Sequence, residues 1–143
     1  MKEFKNKKIL LTGGAQGIGL AMVKKFEKIF SQVIFIDKEK NKGKNLQKYF
    51  QKKGSNVYFY HCDLNNFKKS IKLFRKILKK HKNINYLINN AKAGTRNKIL
   101  DESEKNWNTS INVILKNSFF FLKEFINHNK SKNISKSILN ISS

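Results

Sequence analysis

The chain has 143 residues, enough to bury a core in one domain and too few for two, so 1–143 is expected to be a single unit. Its formal net charge is +22, with 31 Lys+Arg against 9 Asp+Glu, a balance that ordinarily points to a polyanion or an anionic membrane surface. One cysteine, Cys62, excludes an intrachain disulfide, and His61, His81 and His128 lack metal-ligand spacing, so no metal site is expected.

In chain order, Lys8-Ile-Leu-Leu-Thr12 reads as a strand that stops abruptly in glycines and is followed by Leu20, Met22, Val23, Phe26 and Ile29 at helical spacing. Val33 to Ile36 forms a second strand ending in Asp37, and Lys40 to Lys53 a second helix stopped by Gly54. A third strand, Val57 to Tyr60, ends in Cys62-Asp63 and leads to a third helix with Phe67, Ile71, Leu73, Phe74, Ile77 and Leu78 as its apolar stripe. Ile84 to Ile88 makes a fourth strand ending in Asn89-Asn90-Ala91. A long helix from about Ser103 to His128 follows, with Ser103 and Glu104 suited to its first turn, and Ser137 to Ile141 is the fifth strand. Nearly continuous apolar strands alternating with helices predict an α/β fold, a doubly wound parallel sheet in the order 3-2-1-4-5.

The run Thr12-Gly13-Gly14-Ala15-Gln16-Gly17-Ile18-Gly19 lies between the first strand and the first helix. Glycines there permit a tight turn and let backbone amides at a helix N-terminus approach a pyrophosphate. Glycine spacing alone also suits a turn that packs helix to sheet without a ligand. The preceding strand, the following helix and an acid at the end of the second strand make the dinucleotide reading the stronger one. Asp37, eighteen residues beyond Gly19, can accept hydrogen bonds from both hydroxyls of an adenosine ribose and repels a 2′-phosphate. That favours NAD over NADP, with the adjoining Lys38 leaving NADP open.

These residues, with Cys62-Asp63-Leu64, Asn89-Asn90-Ala91, the Trp107 to Phe121 helix and Asn140-Ile-Ser-Ser143, resemble the N-terminal part of a short-chain dehydrogenase/reductase, in order and over nearly the whole chain. The resemblance implies a Rossmann-type, cytoplasmic NAD(P)-dependent oxidoreductase that moves a hydride between nicotinamide and a small carbonyl or alcohol substrate, and a homo-oligomer when full length. It assigns cofactor contacts to Gly13, Gln16, Gly17, Ile18, Gly19, Asp37, Asp63, Leu64, Asn89 and Ala91, with Asp63 at the adenine. To Ser143 it assigns polarisation of the reacting oxygen.

Three departures qualify that expectation. The family's catalytic tyrosine and lysine, four residues apart, lie beyond the serine at which these 143 residues end. The chain is therefore expected to be C-terminally incomplete and inactive alone, the alternative being a complete dinucleotide-binding module without catalysis. Ile114 stands where the family carries an asparagine, and Asn112, about 200° away around a helix, cannot substitute for it. Lys92 stands where Asn-Asn-Ala is usually followed by glycine.

Several features read as bland. Tyr49 and Lys53 have Tyr-x-x-x-Lys spacing but sit on the second helix, away from the strand ends, and Cys62 reads as a small buried hydrophobe. Trp107 and Phe119-Phe120-Phe121 read as core or partner-helix contacts. Only Arg75 and Arg96 among the cations are arginines, and Lys, Asn, Ile and Phe, each with a codon made only of A and T, account for 76 residues. The lysines therefore read as a solvated surface produced by compositional drift, with no specific nucleic-acid partner. The apolar stretch after the basic N-terminus is only Ile9, Leu10 and Leu11, and no run is long enough to span a bilayer, so no membrane partner is expected. The fifth strand is expected to be an open edge, and the long helix to lack apolar cover.

Overall fold

A computed structural model describes residues 2–94, 98–131 and 133–141. Five parallel strands pair in the order β3-β2-β1-β4-β5, as the alternation of elements predicts. They are β1 (Lys8–Thr12), β2 (Gln32–Asp37), β3 (Val57–His61), β4 (Tyr86–Asn89) and β5 (Ser137–Asn140). The helices are α1 (Gly17–Phe26), α2 (Lys40–Lys52), α3 (Phe67–His81), α4 (Glu104–Ser110) and α5 (Asn117–Asn129). Between α4 and α5 the helix widens into a π turn, Ile111–Lys116.

The central strands β1, β2 and β4 are apolar on both faces because both faces are covered. In β1, Leu10 joins a cluster with Ile34, Leu87, Phe74, Ile77, Phe121 and Phe125 on the α3/α5 side. Ile9 and Leu11, pointing the other way, join Val23, Phe35, Phe50 and Ile88 on the α1/α2 side. Stacked rings of Phe74 and Phe121, 4.1 Å between centroids, lock α3 to α5. Local signals set the helix ends. The Asn66 side chain accepts from Lys69 N at 3.1 Å at the start of α3, and Ser103 Oγ accepts from Asn106 N at 3.2 Å at the start of α4.

Two differences from the sequence reading have local causes. β4 begins at Tyr86 rather than Ile84, and Asn85, just before it, holds Lys8 twice, donating its N–H to Lys8 O at 2.9 Å and accepting at its side-chain oxygen from Lys8 N at 3.0 Å. The long helix is not regular, since Asn117 N–H bonds back to the Asn112 carbonyl five residues earlier. The expected edge is present: β5 pairs only with β4 among the described residues, and Leu139 is 52% exposed. Along α4, the π turn and α5, Trp107, Leu115, Phe119 and Ile126 are exposed, while Phe121 is fully buried. No helix among the described residues is long and apolar enough to cross a membrane.

His81, read from the sequence only as a non-ligand, is a buried polar joint. Its Nδ1 lies 2.8 Å from Gln32 Oε1 and its Nε2 2.7 Å from the Tyr60 hydroxyl, which makes Nδ1 the donor and Nε2 the acceptor of a neutral ring. Burial, with the Lys80 and Lys8 ammonium groups nearby, lowers its pKa to about 4. The unfolded imidazole takes its proton near 6.5, so between those values the unfolded chain binds more protons and stability falls as pH is lowered. In urea unfolding series the midpoint is expected to drop from pH 6.5 towards 4, and His81→Gln is expected to flatten that drop.

Candidate functional site

At the carboxyl ends of β1 and β4, where the strand order reverses, lies a cleft of about 550 Å³. Its near wall is the turn from β1 to α1. Gly13 N donates to Ile36 O at 2.7 Å, which holds the turn over β2. The turn is also fastened to the tip of β4. Buried Thr12 accepts at Oγ1 from Asn90 N and Ala91 N, both at 3.0 Å, and Asn90 Nδ2 donates to the carbonyls of Thr12 at 2.9 Å and Gly13 at 3.1 Å.

Gly19 and Gly17 are constrained here for different reasons. A Cβ on Gly19 would lie 1.8 Å from the Gly13 carbonyl oxygen, so α1 can approach the loop only without a side chain. Gly17 has φ +53° and lines the cleft, and a Cβ there would meet nothing within 4 Å. That open space faces the N-terminus of α1, where Gln16 makes no side-chain cap and the first turn carries no acid. The first amides of the helix therefore present unpaired N–H groups and the positive end of a dipole to the cleft. An anion fits this corner.

Asp37, at the end of β2, forms the next part of the wall. It is 7% exposed, and its carboxylate accepts from Ala15 N at 2.8 Å through Oδ2 and from Glu39 N at 2.9 Å through Oδ1. The same acid thus braces the glycine turn and presents its remaining lone pairs to the cleft. Beside it, Cys62 N donates to Asp37 O at 2.9 Å and carries the wall on to Asp63, Leu64 and Asn65. Asp63 is exposed and holds its own turn, accepting from Asn65 N at 2.9 Å. The Cys62 thiol is pushed up by burial and by the Asp63 carboxylate.

Of the residues expected at the cofactor, Gly13, Gln16, Gly17, Ile18, Gly19, Asp37, Asp63, Leu64 and Ala91 line this one cleft. Asn89 does not. It is buried within β4 and donates to Asn140 Oδ1 of β5 at 2.8 Å, while its neighbour Asn90 reaches the cleft. Ser143 lies outside the described residues. Thr109, Val113 and Lys92 also line the cleft, and none of the three is among the cofactor contacts that the resemblance assigns. Ile114 is 38% exposed and is not part of the lining.

Tyr49 and Lys53 do pair, at 2.5 Å, and the hydrogen-bonded ammonium holds the phenol below its ordinary pKa. They do so on the outer surface of α2, where Tyr49 is half exposed and neither residue lines the cleft. Among the described residues no group of His, Cys, Asp and Glu is placed to hold a metal ion.

Comparison with known proteins agrees with this geometry. The family model for short chain dehydrogenases matches residues 7–143, and the chain belongs to the short-chain dehydrogenase/reductase family. It is 30% identical over 137 residues to a 3-oxoacyl-[acyl-carrier-protein] reductase of Chlamydia pneumoniae, covering 96% of this chain and 55% of that protein. It is 28% identical to a D-xylose 1-dehydrogenase of Caulobacter vibrioides, over 81% of this chain and 45% of the relative. The chain thus spans about half the length of these curated relatives. A metagenomic short-chain oxidoreductase solved with NADP has the same fold, with a TM-score of 0.87 at 22% identity over 98% of this chain and 63% of that one. So does a gluconate 5-dehydrogenase from Burkholderia cenocepacia solved with NADP and tartrate, with a TM-score of 0.84 at 21% identity over 98% of this chain and 55% of that one.

The two glycines give a ranked expectation. Gly19→Ala is expected to cost on the order of 3 kcal/mol of folding stability through overpacking, and Gly17→Ala about 1 kcal/mol through backbone strain alone. Urea unfolding of the two variants measures the order.

Proposed function

We propose that this chain is the dinucleotide-binding domain of an oxidoreductase, and that its cleft takes NAD in preference to NADP. The observation that carries the reading is the convergence of α1's unpaired first amides and the Asp37 carboxylate on one cleft at the switch point of the sheet. Gly13, Gln16, Gly17, Ile18 and Gly19 would receive the pyrophosphate, Asp37 the adenosine ribose, and Asp63 and Leu64 the adenine side. Ala91, on the loop after Asn89, would border the nicotinamide half. A bound nicotinamide dinucleotide supplies or accepts the hydride for a small carbonyl or alcohol substrate.

The protein's own part is binding and orientation. The amides neutralise phosphate charge without a counter-ion. Asp37, already fixed by two backbone N–H groups, meets a ribose without reorganising. A 2′-phosphate brought against the same buried carboxylate meets a like charge, and this is the support for NAD. Ser143 is proposed to polarise the reacting oxygen. The proton donor must come from elsewhere, because the chain's Tyr-x-x-x-Lys pair lies on the far surface of α2. These 143 residues are therefore proposed to bind the dinucleotide without turning it over. The exposed stripe from Trp107 to Ile126 supports pairing of copies in a longer protein.

Titration of the chain with NADH, followed by nicotinamide fluorescence, is expected to saturate, with no consumption of NADH when small aldehydes or ketones are added. Absence of saturation would reject the reading. Removing the charge in Asp37→Asn is expected to narrow the preference for NADH over NADPH by about tenfold, the scale of one charge-assisted hydrogen bond. Equal affinity of the unaltered chain for both would reverse the NAD assignment.

A further inference from the structure

Two stretches of chain at the cleft, the one after β3 and the π turn, are joined by one buried carboxamide. Asn117, the first residue of α5, is 1% exposed. Its Nδ2 donates to the Leu64 carbonyl at 2.7 Å and to the Asn112 carbonyl at 2.6 Å, and its Oδ1 accepts from the Ser70 hydroxyl of α3. Ser70 is equally buried, and its Oγ also lies 2.9 Å from the Phe67 carbonyl. Every polar atom of the Asn117 side chain is thus committed.

These partners matter because of where they stand. Leu64 follows β3 and, with Asp63 and Asn65, lines one wall of the cleft. Asn112 belongs to the π turn, whose Val113 lines the same cleft together with Thr109. The Asn112 carbonyl receives both the backbone N–H and the side-chain Nδ2 of Asn117, and so the widened turn and the cross-link share one acceptor. Asn112 adds a weaker tie, donating through Nδ2 to Asn65 Oδ1 at 3.3 Å. A π turn is a rare widening that occurs mostly as a single turn inside an α-helix, frequently at functional sites. Here the same amide holds the turn and sets its distance from Leu64. The wall it sets is the adenosine wall, because Cys62 N bonds Asp37 O directly beside it.

We infer that Asn117, supported by Ser70, is a positioning residue for the adenosine half of the dinucleotide, fixing the width of the slot between Asp63-Leu64-Asn65 and Val113. The inference rests on the dinucleotide reading above. An apolar side chain of similar size fills the same volume but cannot hold the two carbonyls at a set separation. Asn117→Leu and the milder Ser70→Ala test it. Affinities for NADH, AMP and inorganic pyrophosphate are measured by fluorescence and competition, alongside the urea midpoint.

Asn117→Leu is expected to weaken NADH and AMP by about tenfold each while pyrophosphate stays within about twofold, and Ser70→Ala to weaken the first two by about threefold. A lowered urea midpoint with all three affinities unchanged, or a loss shared equally by pyrophosphate, would overturn the inference. Should Asn117→Leu fail to fold, Ser70→Ala is read by the same pattern. NADH bound equally by the unaltered chain and by both variants rejects this inference alone. No NADH binding by the unaltered chain rejects the proposed function and this inference together.

Discussion

The approach of α1 to the glycine turn is the constraint from which the rest of the site follows. Gly19 sits so close to the Gly13 carbonyl that no side chain can intervene, and Asn90 from the tip of β4 donates to that same oxygen. One carbonyl therefore ties together the first helix, the first turn and the fourth strand. Its position dictates the direction of α1, and that direction aims the unpaired amides into the cleft. Asp37 reinforces the arrangement from β2 by binding Ala15 N. The ligand-facing acid and the structural brace are the same group, so the geometry that would recognise a ribose is paid for by the folding of the turn.

The net charge of +22 has little part in this. Lys38 and Lys92 border the cleft, but the anion-binding corner is made of backbone amides, and two carboxylates, Asp37 and Asp63, lie close by. The surface pair Tyr49 and Lys53 teaches the same lesson from the other direction. Its bond is short and its phenol is acidified, yet it stands on the wrong side of α2 to meet a substrate. Chemistry follows the location of a group on the fold as much as its neighbours.

The parts legible in the sequence are those where two periodicities agree. β1, its glycine turn and α1 were readable because an apolar run, a turn signal and a helical stripe occur in sequence within twenty residues. The start of β4 was not, because Asn85 reaches Lys8 N with its side chain and its identity carries no sign of that. Asn89 and Asn90 are adjacent and identical, and only the exact end of the strand sends one into the sheet and the other to the cleft. The π turn was hidden because no spacing in Ile111–Lys116 marks it off from the α-helices on either side, and Asn117, which bonds back across it, is partnered with Ser70 forty-seven residues away. His81 was equally silent, since Gln32 and Tyr60 arrive from two other elements. Long-range polar pairs of this kind leave no local pattern to read.

Cys62 gives the cleft a consequence of its own. It is the chain's single sulfhydryl, it is 8% exposed, and the desolvation that raises its pKa keeps the thiolate scarce at neutral pH. It lines the cleft with little of its surface exposed, which slows alkylation and mixed-disulfide formation. Its rate of labelling by a neutral electrophile therefore reports local opening of the wall beside Asp37.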